Sequence, residues 1–200
     1  MSMVKALHDR LVYGRRTRLL AEKLSVHLPE GARVLDVGCG DGMVASLITR
    51  LRPDVAIHGI DVLVRPHTYI PVTRFDGANI PHPDASFDVV MFVDVLHHCE
   101  DPAQLLAQAK RVTRSSVLIK DHTREGLLAY QTLAFMDWFG NAHHGVARPN
   151  NFWTLAQWND RIGLLGLQAR HWQDRLGLYP WPATWLFDRK LHFIAYLERS

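Results

Sequence analysis

Val34-Leu35-Asp36-Val37-Gly38-Cys39-Gly40-Asp41-Gly42 is an apolar run that stops abruptly in three glycines at alternate positions. Val34, Leu35 and Val37 suit a strand buried on both faces. Gly38, Gly40 and Gly42 let the backbone turn sharply and approach a ligand with no Cβ in the way. The following Met43-Val44-Ala45-Ser46-Leu47-Ile48 reads as the opening of a helix, whose unpaired first N–H groups suit an anionic or polar ligand. The spacing differs from the dinucleotide loop G-x-G-x-x-G, because the third glycine comes one residue early. About 20 residues further on, Ala56-Ile57-His58-Gly59-Ile60-Asp61-Val62 ends a second strand in a carboxylate. Asp61 can there accept hydrogen bonds from the ribose hydroxyls of a nucleoside-containing ligand.

Val34 to Gly42 resembles, without a mismatch, the first motif of the class I S-adenosylmethionine-dependent methyltransferases, apolar-apolar-Asp-apolar-Gly-x-Gly-x-Gly. The resemblance implies S-adenosyl-L-methionine as cofactor and S-adenosyl-L-homocysteine as product. Asp36, Gly38, Cys39, Gly40 and Gly42 would surround it, with Asp61 and Val62 at its ribose. Pro71 to Ala78 looks like a third strand, and the resemblance places Asp76, Gly77 and Ala78 at the adenine; a plain Asp-Gly turn is the competing reading. The apolar run Ser86 to Val93 continues through Asp94 into Leu96-His97-His98. It is similar to the fourth strand of the branch that contains the ubiquinone and menaquinone biosynthesis enzymes, and Asp94 joins the expected cofactor residues.

The remaining chain alternates strand and helix as a parallel sheet requires. Residues 3–27 read as two short helices hinged at Gly14, with Arg15, Arg16 and Arg18 as a solvated face or a contact for an acidic substrate. Asp101 and Pro102 open a helix as N-cap and first-turn proline. Ser116 to His122 forms a fifth strand, Thr154 caps a helix with Leu155, Trp158, Ile162 and Leu165 as its apolar stripe, and residues 167–173 and 192–197 form two last strands. The resemblance, covering roughly residues 30–200, implies a single α/β domain over 1–200. Its fold is a Rossmann-like, doubly wound, seven-stranded sheet, mostly parallel, with a C-terminal antiparallel hairpin and helices on both faces. Residues 123–152 exceed the usual connection of about 2–6 residues. Their first half, Leu127 to Phe139, is apolar nearly all round, which predicts burial against something.

Two hundred residues with 48% hydrophobic and 22% charged content describe a globular domain. No apolar run approaches the roughly 20 residues of a membrane-spanning helix, and Met1 to Lys5 opens no secretory signal, so the expected location is cytoplasmic. Cys39 and Cys99 are too few for a disulfide framework. A formal charge of +3 without a basic run does not call for nucleic acid as a partner.

Asp36, Asp61, Asp76, Asp94, His97, His98, Asp121 and His122 all fall at or just after strand ends, where open parallel sheets bind ligands. Methyl transfer from a sulfonium needs mainly alignment, and a base only for a hydroxyl or protonated amine. His97 oriented by Asp121 is the expected base, with His98 and His122 as reserves. The six tryptophans read first as core and interface residues, and an aromatic wall around an apolar acceptor is the sharper reading. Adjacent histidines such as His97-His98 and His143-His144 are expected to project apart, so no metal is expected. Tyr130, Phe135, His143 and His144 are the candidate contacts to a small apolar, aromatic or lipid-like acceptor methylated on oxygen, nitrogen or carbon, under a lid at 123–152. That surface leaves a homodimer or contact with a membrane surface open beside a monomer. Two alternatives remain: a methyltransferase for nucleic acid or protein, against which no Asn-Pro-Pro-Tyr-like or Pro-Cys motif is found, and a cofactor-binding domain without catalysis.

Overall fold

The computed structural model describes residues 14–141 and 150–199. The sheet contains β1 (Arg33–Val37), β2 (Ala56–Asp61), β3 (Val72–Arg74), β4 (Phe87–Val93), β5 (Thr113–His122), β6 (Leu167–Gln173) and β7 (His192–Arg199). Their order is β3-β2-β1-β4-β5-β7-β6. The first five strands pair in parallel, whereas β7 runs antiparallel to both β5 and β6. This is the mostly parallel, doubly wound sheet with an antiparallel hairpin that the sequence predicts. The strand order reverses between β1 and β4, which opens a crevice at their carboxyl ends.

The helices are α1 (Gly14–Ser25), α2 (Met43–Leu51), α3 (Pro102–Val112), α4 (Ala129–Asn141), α5 (Leu155–Leu164) and α6 (Ala183–Phe187). A 3-10 turn spans Leu96–His98. Alternate strand residues feed opposite layers. Leu35, Val37, Val90, Phe92, Val117 and Ile119 pack with Leu105 and Leu106 of α3 and Trp158 and Ile162 of α5. Val34, Val89, Met91 and Leu118 pack with Leu20 and Leu24 of α1 and Ile48 of α2. A strand with both faces buried has no polar alternation, which is why β1 and β4 read as continuous apolar runs.

Two helix starts follow the predicted caps. The Asp101 side chain accepts the Gln104 N–H at 3.0 Å. Thr154 Oγ1 accepts the Gln157 N–H at 3.2 Å while Gln157 Oε1 accepts the Thr154 N–H at 2.9 Å, a reciprocal capping box.

Three expectations need correction. The third strand stops at Arg74, because the chain turns at Asp76, whose Oδ1 accepts the N–H groups of Ala78 at 2.8 Å and Asn79 at 2.7 Å. Leu155 stands 39% exposed at the first position of α5, outside the stripe formed by Trp158 and Ile162. In α4 only one face is covered: Ala129, Leu133 and Asp137 are buried, whereas Phe135, Trp138 and Phe139 are each more than half exposed. The first of the two hinged helices, and His143 and His144, lie outside the described residues. Among the described residues no helix is long and apolar enough to cross a membrane.

Trp158 ties α5 to the sheet. Its side chain is 2% exposed, its indole N–H donates to the His122 carbonyl at 3.0 Å, and its ring lies 5.0 Å from that of Phe193. Trp158→Ala should cost about 3–5 kcal/mol, read from urea unfolding; an unchanged midpoint would remove Trp158 from the core's main supports.

Candidate active site

Positive φ angles of 73°, 60° and 78° at Gly38, Gly40 and Gly42 curl the chain after β1 into a tight loop. The Gly38 N–H donates to the Ile60 carbonyl at 2.7 Å, and the Gly40 N–H to Asp61 Oδ2 at 2.8 Å. The other Asp61 oxygen accepts the Leu63 N–H at 2.9 Å, so this carboxylate fastens the loop to the tip of β2. A Cβ on Gly38 would lie 2.6 Å from a Val95 methyl and one on Gly42 would overlap Ile70, whereas one on Gly40 would meet nothing within 4 Å. Protein packing therefore accounts for the outer two glycines. The middle one faces open space.

Asp36 lies behind this loop, 3% exposed, and its Oδ1 has no hydrogen-bond partner among the described residues. Burial, reinforced by the Asp61 charge, pushes its carboxyl up to about 7. A buried carboxylate oxygen without a partner, beside a glycine cradle open to solvent, fits a ligand carrying an ammonium and hydroxyls, as S-adenosylmethionine does. Cys39 packs its sulfur over Gly59, where a Cβ would come within 2.5 Å of it. Val62 stands over Gly77, which a Cβ would bring to 3.0 Å from Val62 Cγ1, so the tips beyond β2 and β3 meet as an adenosine site requires. Asp76 itself is exposed, and its carboxylate closes its own turn with Ala78 and Asn79. That is the geometry of the competing Asp-Gly reading.

Across the crevice, the ends of β4 and β5 carry a buried polar cluster. Asp94, at φ 58°, receives Arg16 Nη2 at 2.5 Å, the Lys120 ammonium, and His122 Nε2 at 3.3 Å. Burial works against its charge, but Lys120 and Arg16 together hold the carboxyl well below the usual range. Lys120 is fully buried, which lowers its pKa while Asp94 opposes the shift, and its Nζ lies 3.3 Å from His192 Nδ1. His122 and His192 are driven far below the ordinary imidazole range by burial and then by the Lys120 charge, so both are neutral.

His97 is 3% exposed and holds Asp121 Oδ1 through Nδ1 at 2.6 Å. Burial alone would lower its pKa, but the Asp121 and Asp137 carboxylates outweigh it and raise it to about 9. The predicted pairing with Asp121 is present. A ring that keeps its proton at neutral pH is not, however, the free base expected of it. His98 does not project away from His97: the 3-10 turn sets their ring centroids 4.0 Å apart, and both Nε2 atoms face Asp137 Oδ1, at 3.7 Å and 3.3 Å.

Asp137 joins the site from α4, although it belongs to none of the sequence motifs. It shares the covered face of α4 with Ala129 and Leu133 at helical spacing, and Tyr130 stands partly exposed beside them. Tyr130 reaches Phe152, ring centroids 6.0 Å apart, and Phe152 stacks on His97 at 5.2 Å. Phe135 instead belongs to the outer face with Trp138 and Phe139, so it does not contact the cluster. Arg16 and Arg15 are not a free solvated face either, since Arg16 binds Asp94 and Arg15 donates to the Leu178 carbonyl at 2.9 Å.

Removing one member of a buried pair strands the other. Asp94→Ala should cost about 3–5 kcal/mol in urea unfolding, with much of it recovered when Lys120→Met is added; a loss near zero would show that the Lys120 ammonium is hydrated.

The sequence profile of a methyltransferase domain family matches residues 8–171. The chain is 34% identical over 113 residues to a 27-O-demethylrifamycin SV methyltransferase of Amycolatopsis mediterranei, covering 49% of this chain and 41% of that one. It is 28% identical over 192 residues to a ubiquinone biosynthesis O-methyltransferase of Cereibacter sphaeroides, covering 84% and 73%. The first curated relatives are longer, and the chain spans less than half of their length. An S-adenosylmethionine-dependent methyltransferase of Mesorhizobium loti has the same fold, with a TM-score of 0.66 at 20% identity over 89% of this chain and 96% of that one. With its profile matched over more than three-quarters of the sequence, its seven-stranded sheet and its Asp36–Gly42 loop, the chain belongs to the class I S-adenosylmethionine-dependent methyltransferase family.

Proposed function

We propose that this chain transfers the methyl group of S-adenosylmethionine to an oxygen or nitrogen of a small acceptor with an apolar body. The contact of Val95 with Gly38 carries this reading, because the histidine turn begins at the next residue. Cofactor loop and polar cluster thus share one crevice.

The cofactor supplies a methyl group activated on a sulfonium. Asp36 and the Gly38–Gly40 backbone would hold its amino acid end, Asp61 its ribose, and the Val62–Gly77 contact would border its adenine. Moving the Asp61 carboxylate from the Gly40 N–H to ribose hydroxyls exchanges one hydrogen bond for others, so the loop can close around the ligand without a new buried charge. Across the crevice Asp94, held by the buried Lys120 ammonium, would border the cofactor, and Tyr130, packed against the buried Phe152, would offer apolar surface to the acceptor. Residues 123–152 act as the lid, with Asp137 as its latch on the two histidines. Alignment supplies most of the rate, consistent with a His97 that orients and does not accept a proton. The similar proteins named for rifamycin and ubiquinone chemistry support an acceptor with a large apolar skeleton.

Calorimetry with S-adenosylhomocysteine and labelled-methyl transfer to a panel of quinols, polyketides, lipids and RNA test the reading. Asp61→Ala should weaken S-adenosylhomocysteine by about 1.5–3 kcal/mol, and transfer should appear with an apolar acceptor; transfer only to RNA would overturn the acceptor class.

The raised Asp36 carboxyl gives a second check. A folded-state pKa of about 7, above the unfolded value, contributes stability below the unfolded pKa that is lost as pH rises through 7. Asp36→Asn should therefore narrow the difference in stability between about pH 5 and about pH 8 in the ligand-free chain, and weaken S-adenosylhomocysteine at the higher pH. An unchanged profile would mean that the carboxylate is already compensated.

A further inference from the structure

The geometry points to a divalent transition-metal site at His97, His98 and Asp137, of the zinc type with a free coordination position. Both histidine Nε2 atoms converge on one Asp137 oxygen, at 3.7 Å and 3.3 Å. Those separations exceed an ordinary N–H···O bond of about 2.7–3.2 Å. They bracket the edge of about 3.3–3.5 Å between ligands of a tetrahedral zinc bonded at about 2.0–2.1 Å. The three ligand atoms lie within 4.8 Å of one another, and His97 and Asp137 are buried.

A second, independent observation is the support behind His97. Its other ring nitrogen donates to Asp121 Oδ1 at 2.6 Å, the carboxylate–histidine arrangement that fixes a ligating ring and its tautomer. Asp121 is itself held by the Leu96 N–H at 2.9 Å on Oδ2 and the His122 N–H at 2.8 Å on Oδ1. The other grouping, His97–Asp121–His122, is disfavoured, because both Asp121 oxygens already accept protein donors and the 2.6 Å between His97 Nδ1 and Asp121 Oδ1 leaves no room for an ion. Asp121 is a positioning residue. Binding would release the Nε2 proton of His97 to solvent; the two imidazoles, then neutral, and one carboxylate leave a bound divalent ion with net positive charge, and nitrogen and oxygen donors select zinc, iron or manganese over calcium.

What the ion does rests on the methyl-transfer reading; that it binds does not. At its free position it would take an acceptor oxygen and lower the pKa of that hydroxyl, a role that His97 as a base does not fill. The site also gives Asp137 a reason to face inward from an otherwise apolar helix.

The test uses the full chain after chelator treatment, titrated with zinc chloride by calorimetry, with cobalt(II) chloride as a visible-absorption probe. One zinc per chain and a cobalt spectrum of tetrahedral intensity are expected. Asp137→Asn and His98→Gln should each abolish the cobalt spectrum, and Asp121→Asn should lower zinc affinity about 10–100-fold at unchanged stoichiometry. Circular dichroism and S-adenosylhomocysteine titration of each variant establish the fold and the cofactor site separately. A folded parent that binds no stoichiometric zinc overturns the site, as does an Asp137→Asn or His98→Gln variant that binds zinc like the parent. Cofactor binding that fails while zinc binds would overturn the methyl-transfer reading alone.

Discussion

The Asp121 carboxylate holds the carboxyl end of the sheet together. Fully buried at the tip of β5, it takes the Leu96 and His122 N–H groups and the His97 ring, and so binds the turn after β4 to the strand beside it. Everything that faces the crevice from this side depends on that fastening. The turn sets Val95 against Gly38, which props the glycine loop, and it aims both histidine rings at α4. A carboxylate saturated by protein donors cannot rotate without breaking two backbone hydrogen bonds in a dry environment. The spacing between the two halves of the crevice is accordingly set by that fastening, although the loop and the helix that line it come from distant parts of the chain.

What could be read in the sequence was whatever depended on local spacing. The Gly38–Gly42 loop, Asp61 at its strand end, the caps at Asp101 and Thr154 and the closing hairpin all follow from short-range stereochemistry. The polar cluster does not, because it is assembled from α1, β4, β5, α4 and β7. Two signals were nevertheless present. Lys120 interrupts the apolar run Val117-Leu118-Ile119, and Asp137 is the one charged residue between Leu127 and Asn141. A lone charge within an apolar stretch is costly unless it is paired, so each announced a partner that only the tertiary fold identifies. The adjacent histidines misled for a different reason. Neighbouring side chains diverge in a strand or a helix, but a 3-10 turn brought these two onto one oxygen.

Asp36, Asp94, Lys120, His97 and Asp137 place charge where an unliganded chain gains little from it. Apolar residues of similar volume would often hold such positions at no loss of stability. Their concentration at one end of the sheet, while the opposite layers are filled by Leu, Val, Ile and Phe, separates the part of the molecule that folds it from the part that binds. Ligand binding would then recover free energy that folding left unspent.

The two open sides of the sheet also bear on how copies of this chain meet. β3 is three residues long, and β6 presents Gln168, Arg170 and His171 with an irregular register between Ala169 and His171. Neither gives a second strand a straight, apolar row of unpaired N–H and C=O groups to extend, and short or charged edges are how sheet proteins avoid pairing end to end. Strand addition is thereby discouraged at both ends of the molecule. If two chains do associate, the aromatic outer face of α4 offers exposed apolar surface for it, and the contact would be made through the helix that also covers the histidines. Self-association and access to the crevice would then compete for one element.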